Sequence, residues 1–297
     1  MYAKLYKYRW QYLMILPGAV LLFLFNYIPM AGVQVAFRDF QLGTSIWNSP
    51  WVGMDNFEFV HEPQFWTVVR NTLYISVLKF VFGFPAPIVL ALLINEVKHS
   101  PFKRFVQSVS YLPHFFSWIV VAYMLQSFLT LDGGLVNDLI GKMGGEPVFF
   151  LGSAEWFRPI VVTSGLWKET GWNTILYLAA ITTIDPQLYE AAKVEGAGRW
   201  AQIRHITLPG IVPTISIVLI LSIPSLITAG LDQIYPLMNS ANMDVSDVLD
   251  TYVLRSGLQQ GYFGMSTAVG LLSSVISLLL VLGTNWMSRK LNGEGLW

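Results

Sequence analysis

Lys168 and Glu169 stand side by side in the middle of an otherwise apolar run, Gly165-Leu-Trp-Lys-Glu-Thr-Gly-Trp172. A charge inside such a run carries an insertion cost of roughly 2.5–3.5 kcal/mol, so a pair of charges needs a purpose. On a helix, Gly165, Lys168, Glu169 and Trp172 share one face by their i, i+3/i+4 and i+7 spacing. A ring for stacking and polar groups for hydroxyls on that face would suit a sugar. The same set suits an internal ion pair or a contact with a second subunit. Lys79 is another charge within an apolar run, with a stem long enough to snorkel toward the outer boundary. Asp232 and Gln233 come just after the run 210–230, near the expected outer boundary, where solvation explains them as well as ligand contact does. His114, Phe115, Phe116, Trp118 and Tyr123 form an aromatic set that fits lipid or helix packing, or the side of a sugar path.

No catalytic constellation accompanies these residues. Gly-x-Ser-x-Gly and His-Glu-x-x-His are both missing from the sequence, so neither a nucleophile elbow nor a zinc-protease helix is encoded. His61, His99, His114 and His205 fall on both sides of the expected membrane and cannot converge on one metal. The chain has no cysteine, which excludes disulfides, thiolate metal sites and thiol nucleophiles. Its net charge of zero gives no general attraction to nucleic acid.

The elements that must position these residues are membrane spans. Of 297 residues 54% are hydrophobic and 12% charged, too few charges to clothe a soluble core of this size. Six apolar stretches are long enough to cross a bilayer, about 12–33, 72–95, 106–130, 159–182, 210–230 and 265–286. The first follows Lys4, Lys7 and Arg9 but is too long for a signal peptide and lacks a small-x-small cleavage site, so it reads as a retained helix. Lys and Arg concentrate on the cytoplasmic side of spans. With both termini inside, eleven basic residues are cytoplasmic and five external, leaving Lys79 and Lys168 within spans. The reading is one all-α integral membrane domain over residues 1–297, without room for a soluble catalytic domain.

The cytoplasmic loop 185–209 carries the most information. Asp185 is a good N-cap, and Pro186 occupies the first helical position, where its missing N–H costs nothing. The helix runs through Glu190, Ala191, Ala192 and Glu195, and Gly196 supplies the left-handed turn that ends it. A second short helix carries Trp200, Ile203 and Ile206, and Pro209 is expected to close it. The small residues Ala191, Ala192, Gly196 and Ala197 let another protein's backbone approach closely, with Glu190 as a charge at the rim.

Glu190-Ala191-Ala192, then Gly196-Ala197, then Ile206-Thr207-Leu208-Pro209 resembles the signature loop of binding-protein-dependent ABC importer permeases, and the spacing matches throughout. Gly53-Met54-Asp55-Asn56-Phe57 is similar to an element of that family's first outer loop, and Asn71-Thr72-Leu73 to the start of its second span. Leu112-Pro113-His114-Phe115-Phe116-Ser117-Trp118 and Gly293-Glu294-Gly295-Leu296-Trp297 look like the polysaccharide and oligosaccharide branch, which includes alginate and lipoprotein-type sugar permeases within the maltose-importer-like family.

The resemblance implies the type I ABC importer permease fold. It also implies a homologous second permease subunit, two ATPase subunits and an extracytoplasmic solute-binding protein that delivers sugar, with no role for nucleic acid. Glu190, Ala191, Ala192, Gly196 and Ala197 would enter the ATPase and couple it to the membrane helices. The chain lacks Gly-x-x-x-x-Gly-Lys-Ser/Thr, so no cofactor is expected on it, and ATP and Mg would belong to the partner ATPase. In the maltose importer the part of the span before this loop contributes sugar contacts, and Trp167 matches a tryptophan there. Asp232 and Gln233 align with polar sugar contacts in the same relative. Lys168 and Glu169 depart from its neutral residues, and Lys168 would suit a uronate carboxylate. Two rivals remain, a permease for a non-sugar solute and a self-sufficient secondary transporter. The latter predicts an internal inverted repeat, which the sequence does not display.

Overall fold

The computed structural model describes residues 7–292 and Gly295. Lys4 and, from the C-terminal motif, Gly293, Glu294, Leu296 and Trp297 lie outside the described residues. Among those described, the chain is helical, and its only strand-like feature is an isolated antiparallel bridge between Arg38 and Trp51. The chain groups into two compact units, Met1–Glu62 with Val253–Leu272, and Pro63–Tyr252 with Ser273–Trp297.

In the first unit, α1 (Arg9–Leu22) continues through a π turn and a 3-10 segment, giving an apolar helix of 29 residues from Arg9 to Phe37. Its apolar side chains point outward, Met14 being 82% exposed and Phe25 72%, as expected of a surface that meets lipid or another membrane helix. The loop that follows is tied down by polar contacts. Arg38 donates to the carbonyls of Ser49 (2.8 Å) and Trp47 (3.2 Å). Asn56 donates to those of Arg38 (3.0 Å) and Ala36 (3.2 Å), and Gly53 makes the preceding turn at φ 64°.

In the second unit, α2 (Pro63–Gly83) and α3 (Pro85–Glu96) form one apolar stretch of 34 residues. Next come α4 (Ser100–Tyr111), α5 (Trp118–Leu129) and α6 (Ala154–Thr182). The centre is α6, which packs against α2, α3 and α4. It meets α4 at Gly171, where any Cβ would run into the carbonyl of Ser110. At 29 residues α6 spans about 43 Å at 1.5 Å per residue, more than a hydrocarbon core requires. It also carries Glu155, Arg158, Lys168 and Glu169, whereas the helices Arg9–Phe37, Pro63–Glu96 and Phe263–Lys290 are apolar enough to cross by composition alone.

Two expected elements are bent. The third span is not one helix: the segment Ser100–Phe115 meets Trp118–Leu129 at 97°. Ser117 starts the new helix as its N-cap, accepting a hydrogen bond from the Val120 N–H at 3.3 Å. Pro209 does not close the helix after the loop either. After α7 (Pro186–Val194) and α8 (Arg199–Gln202), the chain stays helical through Gly210 and bends by 58° before α9 (Val212–Ser222). Pro213 therefore lies in the first turn of α9, where its missing N–H breaks no bond, instead of kinking a helix interior. Pro224 sits in a short 3-10 turn, Ile223–Leu226, at the far end.

Hydrophobic clusters hold α6 near both ends. Phe157 and Val161 pack with Ile75, Ala122, Ile234 and Val248. Tyr177 and Ile181 pack with Ala91 and Ile211. Between them the middle of α6 carries Lys168, Glu169, Thr170 and Asn173.

Candidate functional site

A cavity of about 460 Å³ opens beside this middle section. Its polar lining includes Lys79 from α2, Glu169 and Asn173 from α6, and Asp232 and Gln233 from the short helix Leu231–Ile234. Gly165 lies on the same wall. Five of the residues singled out from the sequence as candidate contacts, Trp118, Gly165, Glu169, Asp232 and Gln233, are thus brought together from positions more than a hundred residues apart. Gln233 does not lie in an outer, solvated position. It is buried, and its amide donates to the carbonyl of Val161 (2.6 Å) and to Ser164 Oγ (3.0 Å). Asp232 is exposed at the cavity's edge.

The expected Gly165–Trp172 face is divided. Gly165 and Glu169 line the cavity, whereas Lys168 and Trp172 turn to the break in the third span. Lys168 is 5% exposed and donates to the carbonyl of His114 at 2.8 Å. Its ammonium also lies 3.3 Å from Glu169 Oε1 and 5.2 Å from the Trp118 ring centre. Glu169 Oε2 is 3.0 Å from His114 Nδ1. The Trp172 indole stacks on the same imidazole and meets Phe115 edge-on. Glu169 therefore serves both places, bonded into the cluster while facing the cavity.

Lys79 does not snorkel outward. It reaches into the interior, where its ammonium donates to the carbonyl of Ala229 at 2.7 Å. There the chain after Leu226 has left helical geometry, and Gly230 adopts φ 95°. The Gly230 N–H, freed from helical bonding, is accepted by Asp250 Oδ2 at 3.1 Å. Burial pushes the Asp250 carboxyl above its usual range, against the lowering pull of the Gly230 and Ala229 backbone and of Lys79. Sequence reasoning missed Lys79 and Asn173 as cavity residues. The available signal for Lys79 was the cost of leaving a lysine in an apolar run; Asn173 gave none beyond its polarity.

The loop has the expected local structure. Asp185 Oδ1 accepts from the Gln187 N–H at 2.9 Å, and Gly196 adopts φ 81°. The Ala197 N–H reaches back to the carbonyl of Ala192 (2.8 Å) and the Gly196 N–H to that of Lys193 (3.1 Å). This pair of bonds is the glycine-dependent stop in which two otherwise orphaned carbonyls are satisfied. Glu190 and Ala191 are exposed, and Ala192 and Ala197 half-buried. Val194 at 90% and Trp200 at 74% exposure add apolar surface nearby. Tyr189 Oη, 2.9 Å from Thr207 Oγ1, ties the loop helix to the segment after α8.

Long apolar helices around a cavity with charged and amide groups in its lining, with a capped helix presented on a connecting loop, are what a membrane-embedded transport subunit requires. Residues 83–293 match the family described as "Binding-protein-dependent transport system inner membrane component", and the chain belongs to it. It is 46% identical over 296 residues to Protein LplB of Bacillus subtilis, covering 99% of this chain and 93% of that one. It is 47% identical over 295 residues to the polygalacturonan/rhamnogalacturonan transport system permease protein YteP of the same organism, covering 99% and 92%. Among solved structures it resembles a bacterial ABC transporter involved in the import of the acidic polysaccharide alginate. The identity is 40% and the TM-score 0.91, with 98% of this chain and 99% of that chain covered. A bacterial alginate ABC transporter in complex with an alginate pentasaccharide-bound periplasmic protein matches at 39% and 0.92, covering 100% and 99%. The chain has the type I ABC permease fold and is an inner membrane component of a transporter.

Proposed function

We propose that this chain is one permease subunit of an ATP-driven importer that moves an oligosaccharide or polysaccharide fragment across the bacterial inner membrane by alternating access. The observation that carries the proposal is the cavity beside the middle of α6, into whose lining Lys79, Glu169, Asn173, Asp232 and Gln233 are gathered from separate elements. The names of the similar transport proteins, which concern alginate and polygalacturonan, support a saccharide as the solute. In this reading the whole chain acts as one membrane domain with six spans, two of them bent, and both termini are cytoplasmic. A homologous permease completes the pathway, and an extracytoplasmic binding protein supplies the sugar. Two ATPase subunits, holding ATP and Mg, dock on Glu190, Ala191, Ala192, Gly196 and Ala197.

The test is uptake of labelled oligosaccharides by the purified complex in proteoliposomes. Uptake is expected to require ATP inside the vesicle's cytoplasmic-equivalent face and binding protein on the other. Uptake by this chain alone, without ATP, would make it a secondary transporter and end the proposal.

A further inference from the structure

Two lysines sit among the membrane helices of the larger unit, and their surroundings differ. Lys168 is committed on every side, to the His114 carbonyl, the Glu169 carboxylate and the Trp118 ring. Lys79 has three N–H donors and gives one to the carbonyl of Ala229. Among the described residues no carboxylate oxygen comes within 4.0 Å of its Nζ. Two glycines keep the space around it open. A Cβ on Gly230 would stand 3.5 Å from Lys79 Nζ, and one on Gly165 would stand 3.9 Å from Lys79 Cε and 3.7 Å from the Gln233 amide nitrogen.

The neighbouring carboxylates attract Lys79 only from a distance and leave its remaining donors unfilled. Glu169 is held by Lys168 and His114. Asp232 is exposed at the edge, where water screens it. Asp250 is directed to the Gly230 backbone. An ammonium in low-dielectric surroundings with donors to spare favours an anionic ligand group over a neutral one. Carboxylates and an amide around it are, in turn, good acceptors for sugar hydroxyls.

We infer that Lys79 is the carboxylate-binding residue of the cavity and that the sugar unit occupying it is a uronic acid. The ammonium takes the uronate carboxylate, while Glu169, Asp232 and Gln233 accept hydrogen bonds from ring hydroxyls. The role that the sequence suggested for Lys168 passes to Lys79. This inference rests on the import reading above and narrows its substrate class.

The experiment measures equilibrium binding of trigalacturonate and of its carboxyl-reduced, neutral counterpart to the purified transporter complex without binding protein. The wild-type complex is expected to bind the acidic trimer at least tenfold more tightly, with a preference that shrinks as salt rises. Lys79→Gln, which keeps a donor for Ala229 but loses the charge, is expected to abolish the preference, and Lys79→Arg to retain it. Equal affinities in the wild type, no binding of either trimer, or an undiminished preference in Lys79→Gln would each overturn the inference. ATP-driven uptake by the same preparation distinguishes that outcome from failure of the import reading, because uptake can persist without any role for Lys79.

Discussion

The indole of Trp172 lies flat on the imidazole of His114, with ring centres 4.4 Å apart and planes inclined by 4°. His114 sits just before the 97° break in the third span, and Trp172 lies one helical turn beyond Lys168, which bonds the His114 carbonyl. Stacking, a hydrogen bond with Glu169 and a charge-assisted hydrogen bond from Lys168 thus converge on the residue beside the bend. Here Trp172 acts through another residue of the chain.

That arrangement predicts a coupling between the two rings with no sugar present. Aromatic pairs of this kind contribute about 0.5–1.5 kcal/mol beyond area burial. In a double-mutant cycle of Trp172→Ala and His114→Ala, thermal unfolding of the purified complex should report an interaction energy in that range. Strictly additive effects would mean that the stack contributes nothing to holding the bend.

Asn71 provides a second test. It is fully buried, donates to the carbonyls of Asp244 (2.8 Å) and Asp247 (3.2 Å), and accepts from Arg158 Nη2 at 3.3 Å. Thr72 beside it accepts from the Leu249 N–H at 2.8 Å. Together they pin the loop that leads to Asp250. Asn71→Leu fills the same space but leaves these groups without their partner, which costs about 1–3 kcal/mol for a buried polar group. Thermal unfolding should fall accordingly, whereas Thr67→Ala, at an exposed hydroxyl on the same helix, should change it little. Equal melting temperatures for Asn71→Leu and wild type would contradict the assignment.

Much of the site was legible because the sequence signals were local. The Asp185 cap and the Gly196 stop follow from backbone chemistry that depends on a few consecutive residues. Asn56 and Asn71 stood out through resemblance, and the structure gives each a physical task, tying carbonyls of distant segments. The bends were less legible. A sliding window averages across Phe116–Ser117, so the strongly apolar Trp118–Leu129 draws the more mixed segment before it into one apparent span across a right-angle break. The division of the Gly165–Trp172 face was also hidden. Spacing places residues on a helix surface, but whether Lys168 turns to a cavity or to a carbonyl depends on α4 and the bend, more than fifty positions away.

The expected membrane arrangement can be read by labelling, since the chain contains no native cysteine. Cysteines at Ser100 and Gly198 should react with an impermeant maleimide only from the cytoplasmic face. Both positions are exposed, and no neighbouring atom lies within 4 Å of a Cβ at Gly198. Cysteines at Leu42 and Ala241, also exposed, should react only from outside. Asn56 and Asp247 are poorer reporters, because one is hydrogen-bonded into its loop and the other is buried. External labelling at position 198 in intact cells would reverse the topology.

The loop helix should be where chemistry in the ATPase reaches the membrane. Gly196→Val places a β-branched residue at φ 81°, a conformation that costs on the order of 1–3 kcal/mol for a side chain of this type. No atom lies within 4 Å of a Cβ there, so the strain is purely that of the backbone. Gly196→Asn, better suited to the left-handed region, should therefore be much milder. Glu190→Lys leaves the helix intact, because Glu190 is exposed, and reverses only the charge it presents. In none of the three is a buried contact of α6 touched, so insertion and pairing with the second permease should survive. ATPase activity of the purified complex, with and without sugar-loaded binding protein, should lose at least tenfold of its stimulation in Gly196→Val and Glu190→Lys, and far less in Gly196→Asn. A Gly196→Val, Glu190→Lys double mutant that retains its ATPase subunits and full stimulated turnover would remove this loop from the coupling path.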